Sequence, residues 1–509
     1  MRVKIVFGLL LVLFAATGGM MATRERVDHT GPAAPPPSAS NGAAAPPGAT
    51  ASGSAAAMGS AGAVGSAGAA PVDAGPIRWM DRPLRVVTLG WDLAAPAVLA
   101  NGGLEPVEAS DFGAAGVVTS LRPMESMGVI ESALARGGGD KDGADIAVVP
   151  FVELVASYER LRALSPEVFF VVGWSRGREA IVSTKDTLPG PPERPEAKPG
   201  APFTVGSVGM VGAAGEAATF LGLFALDANG VAPGAVHLVA HGDKPDDPAL
   251  AAVDRDQPGE TARHTILLTT ADATRLVPFV AVAQHGLLDQ HARALAAWTR
   301  VWLEATRKLD ADPPTAARTI AASPGAPEPL ALLKRLGEIA PASLGDNARA
   351  FGLSGRSALT LDALFQQSWR IWRGAGVLAT PVPDVTPING TLIASLARSH
   401  PSLAAPPAVP RLKPAAASPD TLKTLITYRQ AEGKIDEPAL LATAGLLADV
   451  FDRAVLRVAV AKAGGVDAAA TKHLVEEVEQ RFDVGPGRLV AGKKLSGKAA
   501  ATVEILVAP

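Results

Sequence analysis

Residues 140–181 read DKDGADIAVVPFVELVASYERLRALSPEVFFVVGWSRGREAI, and this stretch decides the fold. Within it 146–149 and 168–172 are short apolar runs rich in β-branched residues, and between them Leu154, Leu161 and Leu164 stand at helical spacing. Strand, helix, strand is the unit of a parallel sheet, because parallel neighbours need a long crossover. Each strand stops abruptly, the first at Pro150-Phe151 and the second at Gly173-Trp174-Ser175-Arg176. Ligands of open parallel sheets sit beyond the carboxyl ends of the strands, so a ligand site is expected there.

Upstream, LRVVTLG at 84–90 reads as a buried strand, followed directly by Trp91-Asp92 and a small-residue helix at 96–101 that Gly102-Gly103 ends. A strand at 115–119 leads through Pro123 into a helix with apolar positions Met127, Ile130 and Leu134, closed by three glycines at 137–139. With 145–149 this makes β-α-β-α-β, and right-handed crossovers place these strands parallel in one sheet.

Downstream the texture changes. The Pro-rich loop LPGPPERPEAKPGAP precedes FTVGSVGMVGAAGEAATFLGLFAL, a strand, a glycine turn and a helix; AVHLVAHGD and RHTILLT are further strands. Residues 181–270 thus form a second, smaller α/β unit. From Val277 onward the spacing predicts helix. Leu295, Trp298, Val301, Trp302, Ala305 and Leu309 make one apolar face, and Leu361, Leu364, Phe365, Trp369 and Trp372 another, with Thr360 as N-cap and Gly374 at the end. The tryptophans read as core. After a Pro/Ala linker at 401–419, the tail 420–509 reads as strand 425–428, helix 438–451, strand 455–461, helix 468–482 and strand 502–507, an independent α/β sandwich.

Composition bounds the function. The 509 residues carry 47 basic and 50 acidic side chains, a net charge of −3, with no block of like charge, so no nucleic-acid partner is expected. Cysteine is absent, which removes disulfides, zinc thiolates and thiol nucleophiles, and no cofactor or metal is expected. Arg2 and Lys4 precede the uncharged run 5–22, IVFGLLLVLFAATGGMMA, the layout of an export signal or an inner-membrane anchor within 1–30. Residues 31–80 are largely Ala, Gly, Pro and Ser, a tether whose flexible reach is roughly 35–40 Å.

Taken in order, residues 84–400 resemble the periplasmic substrate-binding proteins of the nitrate, sulfonate and taurine class. The resemblance rests on the opening LRVVTLGW, on GADIAVVPF after a helix, on the hinge strand VFFVVGWSRGREAIVS and on the glycine turn TVGSVGMVG. The long return RLVPFVAVAQHGLLDQHARALAAWTRVWLEATRKLDADPPTAARTIA and the closing helix LTLDALFQQSWRIWRGAGVL complete it. It implies an α/β, type II two-lobe fold, lobe 1 from 81–180 with 271–400 and lobe 2 from 181–270. It also implies a non-enzymatic, periplasmic protein that binds a small anionic ligand between its lobes and has an ABC permease as partner, and the run 5–22 would tether it to the inner membrane. The tail is similar to an OmpA-like peptidoglycan-associated domain through ITYRQAEGKIDEPALLATAGLLADVF and RLVAGKKLSGKAAATVEILV. It carries AKAGGVDAA and AAATKHLVEEVEQ where that family has its wall-binding turn and helix.

Strand ends and resemblance together nominate Trp91, Asp92, Thr119, Ser120, Phe151, Trp174, Ser175, Arg176 and Ser207. Arg176 would take an anionic group bidentately, hydroxyls and helix amino termini its other oxygens, and the tryptophans the apolar part. Two other readings stay open. A membrane-tethered sensor or spacer would use the same fold without transport. Gly173-Trp174-Ser175-Arg176-Gly177 also satisfies the G-x-S-x-G pattern of a serine hydrolase, which requires a helix after Ser175. His237 and His241 with Asp243 form a conceivable metal pair, more simply read as surface residues. The glycines at 206, 209, 212 and 215 either approach an anion or let a helix pack closely.

Overall fold

The computed structural model describes residues 78–190, 208–240, 250–254, 265–404, 419–431, 433, 435–485, 487–495 and 499–507. The run 5–22, the tether to residue 77, Gly206, Ser207, His241 and Asp243 lie outside them. No described helix is long and apolar enough to cross a membrane.

The first sheet contains β1 (Leu84–Leu89), β2 (Thr119–Met124), β3 (Ile146–Pro150) and β4 (Pro166–Ser175). The second holds β5 (Glu179–Ser183), β6 (Val208–Val211), β7 (Val236–Val239), β8 (Leu250–Asp254) and β9 (Thr265–Thr269). The chain then returns to the first through β10 (Pro278–Gln284) and β11 (Ile339–Pro341). The orders are β11-β4-β10-β3-β1-β2 and β7-β6-β8-β5-β9. Each sheet therefore receives one strand from the far side of a double crossing, β10 in lobe 1 and β5 in lobe 2. Both run antiparallel to their neighbours. This is the α/β two-lobe architecture that the resemblance implied.

Strand 146–150 is buried throughout, as a strand covered on both faces must be. Its expected partner β4 is not its neighbour, because β10 lies between them. Residues 278–284, PFVAVAQ, fall in the region read as helical, yet form that central strand. A short, wholly apolar run has no face, so spacing cannot separate a buried strand from a helix. The strand expected at 115–119 begins where it was expected to end: Thr119 pairs with Leu84, and Met124 with Leu89.

Helices cover both faces. In lobe 1 they are α1 (Trp91–Asn101), α2 (Met127–Arg136) and α3 (Phe151–Leu161), and in lobe 2 α4 (Ala217–Ala228). The return adds α5 (Ala292–Ala311), α6 (Pro313–Ala321), α7 (Pro329–Gly337) and α8 (Leu361–Gly374). On α5, Trp298 and Trp302 lie 4.9 Å apart and meet Phe170 of β4, so the tryptophan stripe is core. Thr360 caps α8 by accepting from the Ala363 amide at 3.2 Å, as its position predicted.

The tail sheet is β12 (Lys423–Gln430), β13 (Val455–Lys462), β14 (Gly465–Val466), β15 (Leu489–Ala491) and β16 (Ala501–Val507), with helices α9 (Glu437–Val450) and α10 (Ala468–Phe482). Strand β16 runs between β12 and β13, antiparallel to both.

Candidate functional site

The carboxyl ends of β1 and β4, the double crossing and the amino end of α4 carry a linked set of charged side chains. Gly90 joins β1 to α1 at φ 90°, a conformation that suits glycine, and a Cβ there would lie 2.7 Å from Asp92 Oδ1. This turn sets Asp92 in the first turn of α1, 6% exposed, where Arg178 Nη1 donates to its Oδ2 at 2.7 Å. Arg178 also lies 3.8 Å from Asp254 Oδ2 at the end of β8, and Arg335 of α7 reaches that same oxygen at 3.2 Å. The row Asp92, Arg178, Asp254, Arg335 thus runs from lobe 1 through the crossing to lobe 2 and back. Burial works against the Arg178 charge, and Asp92, Glu179, Asp254 and Glu153 outweigh it, holding the guanidinium above its ordinary pKa.

The crossing itself is cross-linked. Ser175 ends β4, Gly177 turns at φ 85°, and β5 starts at Glu179. The Glu179 carboxylate, 5% exposed, accepts from Ser175 Oγ and from Thr270 Oγ1 at 3.0 Å. The Gly177 amide donates to Thr270 Oγ1 at 2.8 Å, and the Thr270 amide to the Glu179 carbonyl at 3.1 Å. Burial raises the Glu179 carboxyl above its usual range against these donors.

Above the crossing, lobe 1 reaches into lobe 2. Glu153, in the first turn of α3, accepts from the Ala217 amide at the start of α4 at 3.1 Å. The place an anion would take at that helix terminus is filled by the chain's own carboxyl group. Burial pushes Glu153 up to about 8, with Glu179 and Glu216 adding to the rise. Beside it Trp372 of α8 packs 5.5 Å from Phe220 of α4, and its indole Nε1 donates to the Val152 carbonyl at 2.9 Å. Arg370 pairs with Asp227 across the same contact.

Glu153 makes stability depend on pH. Its folded value of about 8 stands above the ordinary 4.5, so the folded state holds the proton more tightly. That contribution is fully present below about pH 4.5 and is lost as pH rises through about 8. Glu153→Gln keeps the carbonyl acceptor for Ala217 and cannot ionise. Its thermal midpoint is expected to match the parent at pH 5 and to exceed it at pH 9; a deficit at both values would contradict the assignment.

The nominated residues fare unequally. Asp92 and Ser175 belong to the charged network, and Trp91 opens α1 partly buried, near Gly325 in the turn between α6 and α7. Thr119 and Ser120 stand at the amino end of β2, opposite to the end that carries the network, and Thr119 Oγ1 donates to the Val117 carbonyl. Phe151 is fully buried against Phe365, 6.3 Å between rings. Trp174 is covered by the Arg275 guanidinium at 4.3 Å. Arg176 is exposed, with no side-chain partner among the described residues. Arg178, two residues on, holds the position expected of it, because the left-handed turn at Gly177 breaks the alternation of faces that a continuous strand would keep. Ser207 lies outside the described residues. Glu153, Arg178, Glu179, Asp254 and Arg335 went unnoticed in the sequence; a glutamate in a helix's first turn reads simply as support for its own helix.

Ser175 is 1% exposed and strand β5 follows it, so the strand-turn-helix elbow of a serine hydrolase is not formed. His237 is exposed on β7. Gly222 of α4 lies against Met210 and Ile181, where a Cβ would sit 2.5 Å from the Met210 sulfur, so close packing shapes this helix. In the tail, Asp467 caps α10 by accepting from the Ala469 and Ala470 amides at 3.0 and 3.1 Å.

No family model matches the chain, and no curated protein matches it. Solved structures similar to it include the periplasmic aliphatic sulphonate binding protein SsuA from Escherichia coli, 12% identical with a TM-score of 0.40 over 60% of this chain and 94% of that one. The periplasmic nitrate-binding protein NrtA from Synechocystis is 15% identical, TM-score 0.36, over 60% and 92%. A Candida albicans gene product described as exhibiting the generic periplasmic binding protein structural fold is 11% identical, TM-score 0.39, over 62% and 95%.

Proposed function

We propose that this chain is an extracytoplasmic, envelope-tethered sensor or spacer built on a solute-binding fold, with its two lobes held shut. The observation that carries this reading is the Glu153 carboxyl of lobe 1 seated on the amino terminus of α4 in lobe 2. An anionic ligand would need that terminus and a free guanidinium. The terminus is taken, and Arg178 is neutralised by Asp92 and Asp254. The anion-carrier reading then rests on Arg176 alone, which is exposed just beyond the end of β4. On the proposed reading no permease is required. The run 5–22 holds the chain at the inner membrane, 31–80 is the tether, and the tail is an OmpA-like module in which Asp467 serves its own helix.

One observation favours a small-ligand role. A pocket of about 50 Å³ adjoins Asp92 and is lined by Asp310, Thr306 and apolar residues including Trp302 and Leu336, and the Trp302 indole N–H has no partner among the described residues. With Asp92 bonded to Arg178, the Asp310 carboxylate and an apolar wall suit a small amine rather than an anion. Thermal shift against nitrate, sulfonates, phosphate, phosphonates, amino acids and small alkylamines tests both readings. A ligand at 100 times its Kd adds about 2.7 kcal/mol of stability, a rise of several degrees. Shifts within about 1 °C across the panel are expected of a shut body. A large shift with an anion would restore the carrier, and one with an amine would establish the pocket.

A further inference from the structure

We propose that the C-terminal domain is an intramolecular clamp that fixes the angle between the two lobes by gripping lobe 1, the crossing and lobe 2 together. The proposal rests on the reading that the lobes are held shut and names what holds them. The gripping tip is the carboxyl end of α9. Asp449 Oδ2 accepts from Ser357 Oγ at 2.7 Å and from the Ala358 and Leu359 amides at 2.6 and 3.0 Å, and Arg349 lies 3.5 Å from Oδ1; all four donors belong to the lobe 1 return. Three residues on, in the turn after α9, Asp452 Oδ1 accepts from Thr274 Oγ1 at 2.5 Å, and Oδ2 lies 3.6 Å from Arg275 Nε. Thr274 and Arg275 are in the second crossing segment, between β9 and β10.

Between these two aspartates, Phe451 packs 6.5 Å from Phe224 of α4, in lobe 2. Strand β12 adds two further bonds to that lobe: the Thr427 amide donates to Asn229 Oδ1 at 3.0 Å, and Lys423 Nζ to the Asp186 carbonyl at 2.7 Å. Arg488 holds the tip in shape by donating to the Ala448 and Phe451 carbonyls at 2.8 and 2.7 Å. Four consecutive residues, 449–452, therefore touch all three moving parts of a hinge. A lobe rotation about the crossing strands would have to break Asp449 from lobe 1 or Phe451 from lobe 2. Arg275 couples the grip to the crossing, since its guanidinium also covers Trp174 at the end of β4.

The chain has no cysteine, so Glu125→Cys and His237→Cys, exposed beside β2 and on β7 at the far edges of the two sheets, give a clean spin-label pair in the full chain. The parent is expected to show one narrow distance distribution. With Asp449→Ala and Asp452→Ala added, the distribution is expected to broaden or shift by about 5 Å or more, the scale of a hinge motion. The amides of Gly177 and Thr270 are expected to exchange with solvent at least about tenfold faster. Unchanged distances and exchange in a variant that still unfolds cooperatively would overturn the clamp. Should the double aspartate variant not fold, Thr274→Val with Ser357→Ala removes one bond from each grip, and the same two outcomes decide. A ligand that raises the thermal midpoint of the parent would overturn the proposed function while leaving this distance test intact.

Discussion

Arg178→Ala is expected to destabilise the folded chain by about 3–5 kcal/mol, the usual cost of removing one partner from a buried ion pair. Asp92, with 6% of its side chain exposed, then loses its guanidinium, and Asp254 retains the more exposed Arg335. Glu153 and Glu179, both held above the usual carboxyl range by burial, lose the cation whose field counters that rise. Arg178→Lys keeps the charge, but a single ammonium does not reproduce a fork that offers Nη1 to Asp92 and Nε to Asp254. It is expected to recover only part of the loss. Thermal and urea unfolding measure both variants. Because only 17% of the Arg178 side chain meets solvent, added salt is expected to change the deficit little. A parent-like Arg178→Ala would remove the charged row from the account of lobe closure.

Trp372→Ala is expected to cost about 3–5 kcal/mol, as large-to-small changes of buried aromatic residues do. Its consequence reaches beyond stability. Trp372 is fully buried and meets Phe220 of lobe 2 while bonding Val152 of lobe 1, so the space left opens the contact between the lobes. Trp372→Phe keeps most of the packing and removes the bond to the Val152 carbonyl, which lies within α3, a loss of about 0.5–1.5 kcal/mol. Urea midpoints that fall in the order parent, Phe, Ala support the interlobe wedge. Equal midpoints for Phe and Ala would place the energy in the hydrogen bond instead.

These two variants sit on different layers of legibility. The apolar stripe that contains Trp372 was readable from spacing, and all of its members are buried where a helix face meets the core. Arg178 went unnoticed in the sequence, where the strand end nominates Arg176, two residues earlier, in its place. A continuous strand would put the two on one face; the left-handed turn at Gly177 separates them, and φ at a glycine is set by what surrounds it. Thr119 and Ser120 stand at the amino end of β2 for a related reason: the strand begins where it was expected to end, and a shift of nearly its whole length turns residues expected at its carboxyl end into its first ones.

The sequence by itself determined the α/β class, the alternation that builds lobe 1, the helices at 292–311 and 361–374 and the absence of cysteine. Local patterns suffice for these, because burial periodicity, caps and composition act over a few turns of chain. Only the tertiary structure decided that 278–284 is a central strand and that the amino end of α4 is filled by Glu153. It alone joined Asp449 and Asp452 to parts of the chain about 90 and 180 residues earlier. Such pairings join segments that are remote in sequence, and a carboxylate's partner is fixed by where folding carries the chain rather than by its neighbours.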